Sequence, residues 1–239
     1  MAKLRSLAEA GALVQDGDIV ALGGNILHRC PFAFVRERAR QGRRRLQVMK
    51  TAGGYDGDLL CAAGCLAVVH AGCVGLENEF GFAPNYRRAV ERGQVESREN
   101  ACYTVIASLR AAAYGIPFQP VNVLWGSDIP AASNFRTVRD PYTGQEVVAI
   151  PAIQPDWAVI HVQECDPQGN ARILGCVFED AIMTRAAKGV IVTAVVEAAG
   201  GAAPGSCYPY YDYDAKHIRE YLVLSPDPER FRGYLRSNV

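Results

Sequence analysis

Apolar residues along this chain gather in short blocks, Ile19-Val20-Ala21-Leu22, Leu46-Gln47-Val48-Met49, Leu66 to His70 and Val190-Ile191-Val192-Thr193. Between them lie stretches in which apolar positions recur at helical spacing. The blocks are too short for helices and read as buried strands, and the spaced stretches read as amphipathic helices. Leu4 to Val14 predicts a helix and Asp16-Gly17-Asp18 a turn before the first strand, which runs into Gly23-Gly24. Pro31 suits a first helical turn, Phe34, Val35 and Ala39 give the helix after it an apolar side, and Gly42 stops it. The cycle repeats: the second strand leads to Gly53-Gly54, a helix covers Asp58 to Ala63, and the third strand ends near Gly72. Further helices are predicted over Tyr86 to Glu91, Ala101 to Tyr114 and Glu179 to Ala187.

Alternation of this kind predicts an α/β fold, an open and mostly parallel sheet with helices on both faces. One domain over residues 1–239 is the simplest organisation. Residues 116–174 break the rhythm with prolines, Val-rich pieces and turn signals at Pro141-Tyr142-Thr143-Gly144 and Asp166 to Asn170, and read as hairpins forming a β-rich excursion. The C-terminal stretch, about 213–239, reads as a helical tail with helices over Tyr213 to Leu222 and Pro228 to Leu235.

Composition narrows the partners. With 25 basic and 25 acidic residues the formal net charge is +0, so no global field gathers nucleic acid or an anionic membrane, and an anionic ligand must be held locally. No stretch approaches the roughly 20 apolar residues of a membrane helix, and the N-terminal segment is broken by Glu9, Gln15, Asp16 and Asp18. A cytoplasmic protein is expected. The eight cysteines lie mostly among Ala, Leu, Val and Gly, as reduced core thiols do, and neither they nor the four histidines have zinc spacing, so no metal is predicted.

Three loops carry candidate chemistry. Gly23-Gly24-Asn25 follows a strand and can bring backbone N–H groups close to a phosphate or a developing oxyanion, although a turn alone needs the same glycines. It is neither Gly-x-Gly-x-x-Gly nor a Walker loop, which disfavours nucleotide cofactors. Glu77 and Asn78 follow the third strand, where open α/β sheets bind ligands; Glu77 is a candidate nucleophile or proton-transfer group, or a solvated loop acid. Glu99 precedes the long helix, either as a helix-start acid or lining a cleft, and Arg43-Arg44-Arg45 reads as a solvated turn.

Taken in order, DGDIVALGG with RCPFAFVRE, KTAGGYDGDLLCAAG, GLENEFGFAPNYRRAVERGQVE, GIPFQPV, DPQGNARILG and VVEAAGGAAPGSCYPYYDYDAKHIREYL resemble the α-subunits of class I coenzyme A transferases of the glutaconate and 3-oxoacid type. Related subunits of CoA-ester ring-opening hydrolases share the pattern. The resemblance implies a ribose-phosphate-isomerase-like fold and a β-subunit of similar fold in a hetero-oligomer, with acyl-CoA bound between the two. It also implies ping-pong transfer of CoA between an acyl-CoA and a carboxylic acid, dicarboxylic or 3-oxo, through a glutamate of the β-subunit, with the CoA thioester as substrate and no permanently bound cofactor. Carried onto this sequence, Gly23, Gly24, Asn25 and Pro31, with Gly53, Gly54 and Asn78, form the oxyanion and acyl environment; Glu77 and Glu99 remain weak catalytic candidates. Two other expectations stay open: a ring-ketone hydrolase component, against which the thiol of Cys102 speaks, and a non-catalytic sensor of sugar phosphates or CoA esters.

Overall fold

The computed structural model describes residues 5–42, 44–166 and 169–197, and the backbone of 210–211 and 220–223. Helix α1 (Leu7–Leu13) is opened by a reciprocal cap in which Ser6 and Glu9 satisfy each other's backbone N–H groups. It leads into β1 (Ile19–Leu22), α2 (Phe32–Arg40), β2 (Leu46–Gly53), α3 (Tyr55–Ala62) and β3 (Leu66–Val74). Two short helices, α4 (Glu77–Phe80) and α5 (Pro84–Glu91), precede β4 (Glu96–Glu99) and the long α6 (Cys102–Tyr114). After β5 (Phe118–Val121), α7 (Ile129–Ala132), β6 (Arg136–Arg139) and β7 (Glu146–Pro151) come β8 (Trp157–Cys165), β9 (Ala171–Arg172), α8 (Asp180–Ala186) and β10 (Gly189–Glu197). The last described backbone forms β11 (Tyr210–Tyr211) and β12 (Glu220–Val223).

The strands β4-β3-β2-β1-β8-β10-β12 pair in that order, every pair parallel. Beyond the end of β1, β9 pairs antiparallel with the last residues of β8, and β11 with β9. Helices cover both faces, as predicted. Ala10, Val14, Phe34, Val35, Leu60 and Ala89 bury one face of the sheet, and Val105, Leu109, Met183 and Ala186 the other. In β8, Ala158, Val159, Ile160 and Val162 are fully buried, an apolar run broken only at His161, as suits a strand with paired neighbours on both sides. The polar strand β4 takes an edge, where charged side chains discourage further pairing.

Two expectations need correcting. Trp157 to Ile160 is not part of a β-rich excursion: it opens β8, the central strand between β1 and β10. The excursion is the antiparallel sheet β5-β7-β6, resting through Val121, Val148 and Ile150 on Ala107 of α6. The helix expected over Tyr213 to Leu222 does not reach its end, because residues from Glu220 onward form β12, which covers the outer edge of β10 with Tyr221, Leu222 and Val223. The remainder of the expected tail, the helix over Pro228 to Leu235 included, lies outside the described residues. No helix among the described residues is long and apolar enough to cross a membrane.

Candidate functional site

Strand order reverses its direction of growth between β1 and β8. From β1 the chain builds β2, β3 and β4 to one side, then crosses back to add β8 and β10 on the other. At such a point the loops leaving the two adjacent strands part, and a crevice opens at the strands' C-terminal ends. The loop that leaves β1 is Gly23-Gly24-Asn25, so topology places it at this crevice.

Its N–H groups are all spent within the protein. Gly23 N–H donates to the Val159 carbonyl (2.8 Å) and extends the β1–β8 ladder, and Asn25 N–H donates to the His28 carbonyl (2.9 Å). Gly24 N–H donates to Asp180 Oδ1 (2.9 Å) at the start of α8. The loop therefore offers a ligand a shaped wall and no spare backbone donor at these three positions. The other oxygen of Asp180 accepts from Arg29 Nη1 at 2.5 Å, and the same guanidinium donates to the carbonyls of His161, Cys176 and Val177. Both side chains are buried. Burial pushes the Asp180 carboxyl above the usual range, while the Arg29 charge and the Gly24 N–H pull it back. This clamp staples the β1 loop to the segment before α8.

A second buried charge pair sits below the loop. Lys50 Nζ donates to Asp56 Oδ2 (2.6 Å), to the Gly23 carbonyl (3.1 Å) and to Cys30 Sγ (3.2 Å). Burial disfavours the ammonium, but Asp56 and Cys30 together more than offset this and hold the Lys50 pKa above its ordinary value. The Cys30 thiol is pushed up to about 12, chiefly by burial, and is a packed thiol rather than a nucleophile. His161, whose Nδ1 lies 2.9 Å from Thr193 Oγ1, is lowered to about 4 by burial and by the charge of Arg29, so its ring is neutral.

In front of the clamp lies a recess of about 560 Å³, lined by Asn25, Ile26, His28, Arg29, Glu77, Gln163, Leu174, Cys176 and Phe178. A neighbouring recess of about 380 Å³ shares Ile26 and Glu77 with it and is closed by Cys73, Asn78 and Phe82. Ile26, Arg29, Glu77 and Phe178 all adopt positive φ, four of the seven non-glycine residues that do so among the described ones, and all four line the larger recess. Conformations that L-residues rarely take cluster where a site constrains the backbone.

Of the residues predicted for the site, Asn25 and Glu77 line the larger recess and Glu77 and Asn78 the smaller, while Gly23 and Gly24 line neither and are bonded to Val159 and Asp180. Gly53 and Gly54 lie beneath the same loop: Ile26 N–H donates to the Ala52 carbonyl, and Gly54 packs against Ile26 so closely that an added Cβ would stand 2.0 Å from its carbonyl oxygen. Pro31 is buried at the start of α2, where its carbonyl accepts from Val35 N–H. Glu77, its side chain 37% exposed, lies 3.8 Å from His28 Nε2. Glu99 stays apart: it is exposed on edge strand β4, where its carbonyl accepts from Ser133 Oγ, and the first turn of α6 is held by Thr104, whose hydroxyl accepts from Ala101 N–H. Arg44 and Arg45 are exposed, and Arg43 lies outside the described residues. Sequence reasoning missed Arg29, Asp180 and Lys50, charges whose roles depend on partners far along the chain. The one local signal was a charged residue inside or beside an apolar block.

The Coenzyme A transferase family model matches residues 4–211. The chain is 30% identical to the A-type component of glutaconate CoA-transferase of Acidaminococcus fermentans, over 100% of this chain and 88% of that protein. It is 31% identical to the A-type component of 3-oxoadipate CoA-transferase of Pseudomonas knackmussii, over 98% of this chain and 93% of that one. An Archaeoglobus fulgidus protein is 34% identical over 95% of this chain, which spans 56% of that protein's length. Among solved structures, a variant of the decarboxylase AibA/AibB superposes with a TM-score of 0.83 at 30% identity, over 99% of this chain and 94% of the other. The parallel sheet, the crevice at its reversal and this agreement along nearly the whole sequence have one reading: the chain belongs to the coenzyme A transferase family.

Proposed function

We propose that this chain is the α-type subunit of a two-subunit CoA-transferase, moving CoA between an acyl-CoA and a dicarboxylic or 3-oxo acid, with the attacking carboxylate on the partner subunit. The observation that carries this reading is the recess between β1 and β8, bordered by four strained residues on a rigid buried frame. It has the walls of an acyl site. The one carboxylate that lines it among the described residues, Glu77, is partly exposed and faces an imidazole, which suits a lining residue better than a desolvated nucleophile. Single-domain placement over residues 1–239 and the role of Gly23, Gly24, Asn25, Pro31, Gly53, Gly54 and Asn78 as the acyl wall belong to the same proposal.

The test is reconstitution. The lone chain should show no CoA transfer, and the chain with its partner should turn over and form a borohydride-sensitive enzyme-CoA thioester on the partner. E77Q in the reconstituted enzyme should keep kcat within roughly tenfold of the parent, because a lining residue contributes less than about 1.4 kcal/mol to the transition state. Full turnover by the lone chain, or loss of the covalent intermediate in E77Q, would sink the split-site reading. If the acyl group passes to water, or CO₂ leaves and no acceptor acid takes CoA, the protein is a hydrolase or a decarboxylase on the same scaffold.

A further inference from the structure

We infer that Cys73 and Cys102 form a reversible dithiol/disulfide pair at the wall of the recess, a modification site independent of the transferase reading. Cys73 lies near the end of β3, where it pairs with Ala52, and lines the smaller recess beside Ile26 and Glu77. Cys102 is the first residue of α6, and its thiol donates to the Thr51 carbonyl (3.4 Å) at the end of neighbouring β2. Both are exposed, unlike Cys30, Cys61, Cys65 and Cys165, which are buried.

The backbone brings the two together. Gly72, the residue before Cys73, touches the start of α6: an added Cβ there would lie 2.3 Å from Cys102 N and 2.7 Å from its Cα. Such an approach sets the two cysteine-bearing segments backbone against backbone, the closeness that a disulfide requires of the chains it joins. The two thiols are neighbours as well: burial first, and then the proximity of Cys73, raise the Cys102 pKa.

The chemistry balances with a low-molecular-weight disulfide as oxidant. Cys73, as thiolate, attacks one sulfur of glutathione disulfide and expels one glutathione thiolate, which leaves a mixed disulfide. Cys102 then loses its proton, attacks the Cys73 sulfur and expels the second glutathione. Two thiols become one disulfide, and two electrons and two protons appear as two glutathione thiols. Cys102, kept protonated by its raised pKa, takes the resolving role.

The test uses the full chain, reduced and then equilibrated across ratios of glutathione to glutathione disulfide, acid-quenched, alkylated and mapped by peptide mass spectrometry. Expected is the joint loss of two alkylatable thiols, a peptide pair linked through Cys73 and Cys102, and recovery of both thiols with dithiothreitol. C73S and C102S should each abolish the linked pair. Both thiols alkylated at the most oxidising ratio, separate glutathione adducts without a link, or a link that survives either substitution would overturn the inference. If a serine variant fails to fold, by loss of its circular-dichroism spectrum, the parent chain's peptide map decides alone.

Discussion

At the scale of single residues the site depends on charges that cannot be left unpaired. Asp180 satisfies Gly24 N–H and Arg29 together, and both members of the ion pair are out of solvent. Removing one partner of a buried pair strands the other, a cost of about 3–5 kcal/mol, whereas a paired charge of this kind contributes little beyond what a matched apolar pair would. D180A should accordingly lose about that much stability in urea denaturation, and D180N, which keeps an acceptor for Gly24, should lose less. Equal losses for the two variants would mean that the carboxylate charge, and not the loop bond, is what matters. The same residues mark the limit of what the sequence revealed. Gly23, Gly24 and Glu77 stood out through local pattern, a glycine pair and an acid placed after strands. Arg29 and Asp180 carry no local signal of their pairing, since 151 positions separate them and only the fold makes them neighbours.

At the scale of elements, the β1 and β2 loops behave as one body. Gly54 opens α3 at the point where Ile26 crosses above it, and a methyl group there would meet the Ile26 carbonyl at 2.0 Å, a contact that only backbone movement can relieve. G54A should cost about 1–3 kcal/mol as an overpacking substitution, and the movement should widen the recess lined by Ile26, seen as a raised KM for acyl-CoA in the reconstituted enzyme. A stability loss with KM unchanged would show the two loops to be independent. Strands β1 to β3 were legible because burial in a covered parallel sheet writes itself as short apolar blocks, and α6 and α8 because their apolar positions recur at helical spacing. Strand β4 was not, because Glu96 to Glu99 is an edge strand whose charged side chains carry no apolar alternation. Strand β8 was seen as a strand but misplaced, since periodicity gives an element's type and says nothing of its neighbours.

At the scale of the whole molecule, the buried groups set a direction for pH dependence. His161 titrates at about 4 in the folded chain against about 6.5 when unfolded, so the folded state binds the proton less readily. The sign follows: its contribution is complete above pH 6.5, and it is lost as pH falls through 4, because the unfolded chain gains the proton first. The shift corresponds to roughly 3 kcal/mol. Acid unfolding of the parent chain should begin below about pH 6.5, and H161Q, which keeps a polar side chain, should flatten that slope between about pH 6.5 and 4; an unchanged slope would assign the acid sensitivity elsewhere.

The bond between Gly24 and Asp180 joins residues 156 positions apart. A contact that spans so much chain comes with a large loop-closure entropy and forms after the local helices and neighbouring strands are in place. The crevice therefore acquires its shape late. A ribosome that has released β1 to β4 has made a glycine loop in which Asn25 N–H already has its His28 partner, while Gly23 waits for Val159 of β8 and Gly24 for Asp180 of α8. Synthesis order alone thus keeps the loop open until β8 and α8, which hold it, have been made.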